Sequence, residues 1–194
     1  MKDKILMVVF ILVLGSILTT ALVAINAYAT PIIEKNEEIT LKTSVLKALG
    51  ILYKEENVAD IEQTFEQQVE KREKQGVTYY VSTEGDYAFP FEGSGLWGPI
   101  RGILALEPDL ETINKITIIH QEETPGLGSR IADEEYLEQL EGKEFAPRLE
   151  LTGEGKAEDV NEVDGITGAT LSCDAFIKIL NNEYESYSSL VEGE

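Results

Sequence analysis

Residues 100–120 read IRGILALEPDLETINKITIIH, and this stretch decides the fold class. Ile100–Leu106 and Thr112–His120 are rich in β-branched residues, which favour strands. Between them, Glu107-Pro108-Asp109 is a typical turn sequence. Two such runs joined by a short turn predict an antiparallel hairpin, and therefore a sheet in the middle of the chain.

Further elements are predicted on both sides of the hairpin from hydrophobic periodicity and from glycine positions. The predicted strands are Val77–Val81 and Arg148–Thr152, and the predicted helices are Leu41–Leu52, Val58–Gln75, Asp133–Leu140 and Leu171–Leu190. The last helix carries an apolar stripe that includes Leu171, Phe176 and Leu180. Together these elements predict an α+β domain with an antiparallel sheet and packed helices.

The composition excludes several classes of function. The 194 residues include 36 acidic and 16 basic side chains, which gives a formal net charge of −20. A chain this acidic repels nucleic acid and anionic lipid headgroups. Cys173 is the only cysteine and His120 the only histidine, so a disulfide within the chain, a cysteine-only metal centre and a paired-histidine site are excluded. We expect Cys173 to be a small buried residue and His120 to pack at a strand end.

An apolar segment, Ile5–Ile25, contains no charged residue and is long enough to cross a bilayer as a helix. Lys2 and Lys4 precede it, so we expect the N-terminus in the cytoplasm, the chain passing once through the cell (inner) membrane, and the remainder outside. Pro31 is expected to end the span or to begin the exit from it. A cleaved signal peptide is the alternative, because Ala27-Tyr28-Ala29 resembles a cleavage site.

These observations predict three parts of the chain. They are residues 1–30 with the cytoplasmic N-terminus and the anchor, residues 31–76 as a helical connector, and residues 77–194 as the extracytoplasmic domain.

The sequence DGITGAT, Asp164–Thr170, directly precedes the last predicted helix. Gly165 and Gly168 can adopt positive φ and admit a ligand close to the backbone. The first amides of a helix have no partners within the helix and bind phosphate well. Threonine at such a position more commonly just caps the helix. Local chemistry therefore leaves two interpretations open, a phosphate site and a plain cap formed by Thr167 or Thr170. No lysine of a nucleotide-hydrolysing loop follows.

Three blocks resemble the FMN-binding domain family. Thr167-Gly-Ala-Thr170, preceded by Asp164-Gly165, is similar to the flavinylation motif of that family. Glu123-Thr-Pro-Gly-Leu-Gly128 and Gly95-Leu-Trp-Gly-Pro-Ile100 are similar to two glycine-rich loops of the same family. The blocks occur in the family's order, behind a single N-terminal span. The resemblance covers residues 4–30 and 90–185.

The resemblance implies an FMN joined by a phosphoester to Thr170, donated from FAD by a separate flavin transferase. Asp164 either helps to present the motif to that enzyme or bonds its own turn. The resemblance implies no metal and no catalytic residue in this chain. The residues expected to contact the flavin besides Thr170 are Thr167, Gly168, Ala169, Leu171, Glu123, Thr124, Gly126, Leu127, Gly128 and Trp97. Burial of Trp97 in the sheet is the competing interpretation.

The function implied is that of an electron-transfer subunit, which is not catalytic alone, in a membrane-bound ion-translocating oxidoreductase with other membrane subunits. A dinucleotide fingerprint is absent, so the flavin would exchange electrons with neighbouring cofactors. The short chain favours the G subunit of Rnf-type ferredoxin:NAD oxidoreductases, whereas the Gly-Leu-Trp block favours the C subunit of sodium-translocating NADH:quinone reductases. We take the Rnf type as the main interpretation. A non-redox anchored sensor or assembly domain, and a maturation factor that holds flavin transiently, are the alternatives.

Overall fold

The computed structural model describes residues 2–54 and 57–191, and the chain divides between Ile39 and Thr40 into two compact units. Helix α1 is Lys2–Ala48, and its residues up to Ile39 belong to the first unit. Within the described residues it is the one helix long and apolar enough to span a membrane, with a mean hydropathy of 2.7 over its most apolar window. The prediction of an apolar segment of membrane-spanning length at the N-terminus is therefore confirmed.

Helix α1 continues through Pro31, so the proline does not mark the end of the helix. Proline removes one backbone hydrogen bond, but a helix can continue when the residues on both sides keep helical dihedrals. The hydroxyl of Thr30 donates to the carbonyl oxygen of Asn26 at 2.8 Å, which adds a local bond beside the proline. The helix ends instead at Ala48, ahead of Gly50, whose φ of +67° suits a helix C-terminus. Residues 41–48 of the separately predicted helix Leu41–Leu52 are thus the last part of α1, and residues 49–52 lie outside it.

Helix α2, Val58–Gln68, is shorter than predicted. Its N-terminus is capped by Asn57, whose Oδ1 accepts hydrogen bonds from the amides of Ala59 and Asp60. The remainder of the predicted helix is strand β1, Val69–Lys74, which pairs antiparallel with β2, Val77–Ser82. The turn between them has positive φ at Gln75 and Gly76, as a tight hairpin turn requires. Pairing with β2 therefore overrides the helix propensity of the sequence VEKREK.

The main sheet has five antiparallel strands in the order β1-β2-β3-β4-β5. Strand β3 is Tyr87–Ser94, β4 is Pro99–Leu106 and β5 is Ile113–His120. The predicted hairpin is confirmed as β4–β5. In the β4–β5 turn, the carboxylate of Asp109 accepts hydrogen bonds from the amides of Glu111 and Thr112, both at 2.9 Å.

The remaining elements follow the sheet. A 3₁₀ turn covers Gly128–Ala132, and α3 is Glu134–Glu138. Two short parallel strands, β6 at Glu150–Thr152 and β7 at Glu162–Asp164, precede α4, Thr170–Val191. The observed architecture is the predicted α+β fold.

Helix α4 packs on the main sheet through aromatic and aliphatic side chains. Phe176 is fully buried, with its ring centroid 6.2 Å from that of Phe91 on β3 and 6.4 Å from that of Tyr136 on α3. Nearer the end of the helix, the ring of Tyr187 stacks on that of Phe89 at 4.4 Å. Cys173 is buried in the same core, as predicted. These contacts fix the helix, and therefore fix the position of its first turn.

Candidate functional site

Strand β7 delivers the chain to the motif loop through Asp164, its last residue. One carboxylate oxygen of Asp164 accepts hydrogen bonds from the amides of Lys156 at 2.7 Å and Ala157 at 2.9 Å. Its backbone amide donates to Oε1 of Gln139 at 2.9 Å. Asp164 therefore ties the motif to the preceding loop, rather than bonding only its own turn.

Thr170 is the first residue of α4, and it is exposed. The carbonyl oxygen of Ala169 accepts the helical hydrogen bond from the amide of Cys173 at 3.0 Å, so Ala169 holds the position just before the helix. Alanine has no side-chain acceptor for the first amides. The interpretation of Thr170 as the helix cap is therefore wrong, because the cap position is held by Ala169, whose side chain cannot cap the helix.

Thr167 also does not serve as a conventional cap. Its amide donates to Oε2 of Glu154 at 3.3 Å. Hydrogen bonds from the hydroxyl and then the amide of Thr167 lower the pKa of the Glu154 carboxyl. Gly168, the next residue, has a φ of +86°, which favours glycine. The loop therefore turns away from Thr167 and presents Thr170 at its end.

A cleft of about 280 Å³ lies beside Thr170. Residues from all three sequence blocks line it, and these are Leu96, Trp97, Thr124, Leu127, Gly128, Gly168, Ala169, Thr170, Leu171 and Ser172. Most of the residues predicted to contact a flavin thus meet in one place. Leu96 and Ser172 were not predicted. Leu96 could have been found from its place next to Trp97, whereas nothing in the sequence singles out Ser172.

Four large apolar side chains around the cleft are exposed to solvent. The exposed fractions are 46% for Leu96, 70% for Trp97, 48% for Leu127 and 64% for Leu171. We call these four residues the apolar rim. Burial of Trp97 in the sheet is therefore wrong, because the residue lies in the loop between β3 and β4. Leu171 likewise lies off the buried stripe of α4, since the first turn of the helix extends beyond the core.

Some predicted contacts are already used by the protein itself. The carbonyl oxygen of Thr124 accepts hydrogen bonds from the amides of Leu127 and Ser129, both at 3.1 Å. The amide of Gly126 donates to Oγ of Ser129 at 3.0 Å. Ligand contacts to these two backbone groups would compete with the turn. His120, at the end of β5, lies outside the cleft lining and contacts Glu122 at 3.2 Å.

Glu123 is buried under the cleft, with only 3% of its surface exposed. One carboxylate oxygen, Oε1, accepts hydrogen bonds from the amides of Leu96 at 2.7 Å and Trp97 at 3.3 Å. The other, Oε2, accepts from the hydroxyl of Ser172 at 2.6 Å. A single side chain thus joins the β3–β4 loop to the first turn of α4.

Gly128→Ala is expected to destabilise the domain by about 1–3 kcal/mol, because a buried methyl group would be forced into an occupied space. A Cβ at this position would collide with Oγ of Ser172 and would lie 2.9 Å from Oε2 of Glu123. Urea unfolding of the full chain in detergent measures the effect. Gly153→Ala is the control, because its Cβ would meet only the flexible side chain of Lys156, with Cδ at 3.3 Å. Equal stability of the two variants would contradict the described packing.

The stability of the motif loop should depend on acidic pH through Asp164. Hydrogen bonds, first of all from the amide of Ala157, hold the pKa of Asp164 below its ordinary value. A lowered pKa in the folded state adds stability above the unfolded pKa of about 3.9, and this stability is lost as pH falls through the folded pKa. The difference in urea midpoint between the wild type and Asp164→Asn should therefore shrink as pH falls below about 4. Asp159→Asn, at an exposed residue of the loop between β6 and β7, controls for the lost charge. A difference that stays constant with pH would contradict the prediction.

Comparison with known proteins agrees with this geometry. Residues 95–185 match the family model described as FMN-binding domain. The matched segment contains all three blocks and the whole cleft lining. Over these residues the chain is similar to the FMN-binding domain family, and the predicted resemblance is confirmed.

Two curated relatives are the C subunits of Na(+)-translocating NADH-quinone reductases. The chain is 31% identical to the Chlamydia pneumoniae protein over 134 residues, covering 57% of this chain and 41% of that protein. It is 35% identical to the Haemophilus ducreyi protein over 113 residues, covering 54% of this chain and 44% of that protein. The chain thus spans less than half the length of these relatives. These relatives support the quinone-reductase alternative better than the Rnf type. Chain length, which had favoured the Rnf type, therefore pointed to the less well supported of the two.

Two solved structures share the fold. The crystal structure of Shewanella oneidensis NqrC aligns with a TM-score of 0.64 and 20% identity, covering 74% of this chain and 90% of that one. The C subunit of the Na(+)-translocating NADH-quinone reductase from Parabacteroides distasonis aligns with a TM-score of 0.70 and 21% identity, covering 83% and 96%.

Proposed function

We propose that this protein is an electron-transfer subunit of a membrane-bound redox complex similar to the sodium-translocating NADH-quinone reductases, and that it carries FMN on Thr170. The observation that carries the proposal is the exposed hydroxyl-bearing residue at the uncapped start of α4, beside an apolar cleft, within a segment matched by the FMN-binding domain family. The relatives from Chlamydia pneumoniae and Haemophilus ducreyi support the type of complex.

The residues around Thr170 fit the two chemically different ends of FMN. The phosphate end would lie at the first turn of α4, where amides lack acceptors and the helix dipole is positive. Ala169 leaves that position open because its side chain cannot accept a hydrogen bond. The ring end would contact the apolar rim, whose leucine and tryptophan side chains suit a flat aromatic ligand. When bound, FMN would accept and release electrons.

Attachment would require Thr170 as the nucleophile. Its Oγ1 would form a bond to the phosphorus of the FMN half of FAD, the pyrophosphate bond would break, and AMP would leave while a base takes the hydroxyl proton. A hydroxyl is a weak nucleophile without such a base. We therefore propose that a separate flavin transferase supplies the base and a divalent metal, and that this chain is its substrate. The exposure of Thr170 supports access by such an enzyme.

The membrane arrangement is part of the same proposal. Helix α1 would cross the membrane once, with Lys2 and Lys4 on the cytoplasmic side and the flavin domain outside. Other membrane subunits would supply the cofactors that exchange electrons with the flavin. Ser16 and Thr20 in α1 bond carbonyl oxygens of their own helix at 2.8 Å, so they need no partner helix to satisfy them.

Intact-mass spectrometry of the full chain tests the proposal. Protein made together with a flavin transferase should gain the mass of one FMN less one water, and protein made without it should not. An unmodified chain from native membranes would favour the non-redox alternative. Flavin that copurifies but is released by denaturation would favour the transient carrier.

A further inference from the structure

We propose that Glu123 is the positioning residue of the site, because its carboxylate sets the arrangement of the apolar rim around Thr170. The part of this proposal that concerns flavin rests on the proposed function. The part that concerns the protein does not, because every contact involved lies within the chain. Glu123 was expected either to cap a nearby turn or to accept a hydrogen bond from the flavin. Its carboxylate accepts from the β3–β4 loop and from the first turn of α4, so its role extends beyond one turn.

Burial of the carboxylate is the first step of the argument. A buried carboxylate is costly unless hydrogen bonds replace its water shell. Both oxygens of Glu123 accept such bonds, from two backbone amides and one hydroxyl. All three donors are uncharged, so among the residues that the structure describes the carboxylate is held by hydrogen bonds and not by an ion pair. Because both carboxylate oxygens already accept hydrogen bonds within the protein, Glu123 would affect a ligand indirectly, through the residues that donate these bonds.

The second step is the position of these donors. The amides belong to Leu96 and Trp97, which are two residues of the apolar rim. The hydroxyl belongs to Ser172, which follows the rim residue Leu171 and lies two residues beyond Thr170. The fourth rim residue, Leu127, lies in the turn that begins at Thr124, the residue directly after Glu123. Each rim residue is therefore on, or next to, a segment bonded to this carboxylate.

The third step is the space made for the carboxylate. A Cβ at Gly95 would collide with Oε1 of Glu123, and a Cβ at Gly128 would lie 2.9 Å from Oε2. Both of these glycines come from the blocks that identified the family, and neither has positive φ. At Gly128 the nearest atom to such a Cβ is Oγ of Ser172, the hydroxyl that donates to Glu123. Close packing around the Glu123 carboxylate and its partner, rather than positive φ, therefore favours glycine at these two positions.

The test uses Trp97 as its probe, because it is the only tryptophan of the chain. In full-length protein made without transferase, Glu123→Ala should free the β3–β4 loop to move. The amplitude of the fast component of the Trp97 anisotropy decay should then rise roughly twofold. Glu123→Gln should restore the wild-type decay, because an amide can accept from both backbone groups and donate to Ser172. Glu107→Ala, a change at an exposed glutamate in the β4–β5 turn, should leave the decay unchanged.

The second arm uses protein made with transferase and records visible circular dichroism of the flavin, which reports how firmly the ring is held. Ser172→Ala cuts only the link to α4, so it should weaken the flavin signal while leaving the Trp97 decay near that of the wild type. Folded Glu123→Ala with wild-type behaviour in both arms would overturn the proposal. If Glu123→Ala does not fold, a wild-type flavin signal in Ser172→Ala would overturn it. A wild-type chain without flavin would instead overturn the proposed function, and the first arm would still test Glu123.

Discussion

Thr170→Ala is expected to lose all covalently bound flavin while the protein stays folded. The proposed phosphoester needs a side-chain oxygen at position 170, and alanine has none. The domain should tolerate the change because Thr170 is exposed and is not the helix cap. Exposed substitutions of this kind usually change the free energy of unfolding by less than about 0.5 kcal/mol. In-gel fluorescence after denaturing electrophoresis measures the loss directly.

Two further substitutions at the same position make the result specific. Thr170→Ser keeps a hydroxyl and should retain flavin, whereas Thr170→Val keeps the shape without the hydroxyl and should lose it. Thr124→Ala, at another threonine lining the cleft, should keep the flavin attached. A fluorescent band that persists in Thr170→Ala would place the attachment elsewhere and remove the central step of the proposed function.

Phe176→Ala is expected to destabilise the domain by about 3–5 kcal/mol, which is a large part of the stability of an ordinary domain. Its ring is fully buried between β3 and α3, with Phe91 and Tyr136 as aromatic neighbours. Truncation would leave a cavity under α4, the helix that begins with Thr170. Urea unfolding of the full chain, followed by far-ultraviolet circular dichroism, measures the effect.

Lys178→Ala, two residues further along the same helix, is the matched control. Lys178 is exposed and forms an ion pair with Asp174 at 2.6 Å. Such surface pairs contribute about 0.3–0.5 kcal/mol, so the variant should unfold close to the wild type. If Phe176→Ala were no less stable than Lys178→Ala, the packing of α4 on the sheet would have to be revised.

The hairpin and the last helix could be predicted because their signals are local. Alternating β-formers around a turn define β4 and β5, and apolar spacing defines α4. Strand β1 could not be predicted in this way, because Glu70–Lys74 are residues that helices also accept and only pairing with β2 makes them a strand. Strand β3 was missed because it contains Pro90 and Gly93, which usually argue against an inner strand.

The same distinction between local signals and long-range contacts applies to the residues of the site. Thr170 could be located from a short motif, because the motif and the helix that follows it are contiguous in sequence. The bond between Glu123 and Ser172 could not, because 49 residues separate them and only the packed fold brings them together. Exposure of Trp97 was also beyond the sequence, since tryptophan is usually well buried and its loop position follows from where β3 and β4 end.

Strand β1 is an edge strand of the main sheet and pairs on one side only, with β2. Five consecutive residues of this strand, Glu70–Lys74, are charged, and Arg72 pairs with Glu70 at 2.9 Å. An exposed edge strand is a template for pairing with another chain and so for fibre growth. Charged side chains oppose such pairing because it would desolvate them. The charged residues of β1 therefore protect the domain against amyloid-like assembly at the sheet edge where such assembly would begin.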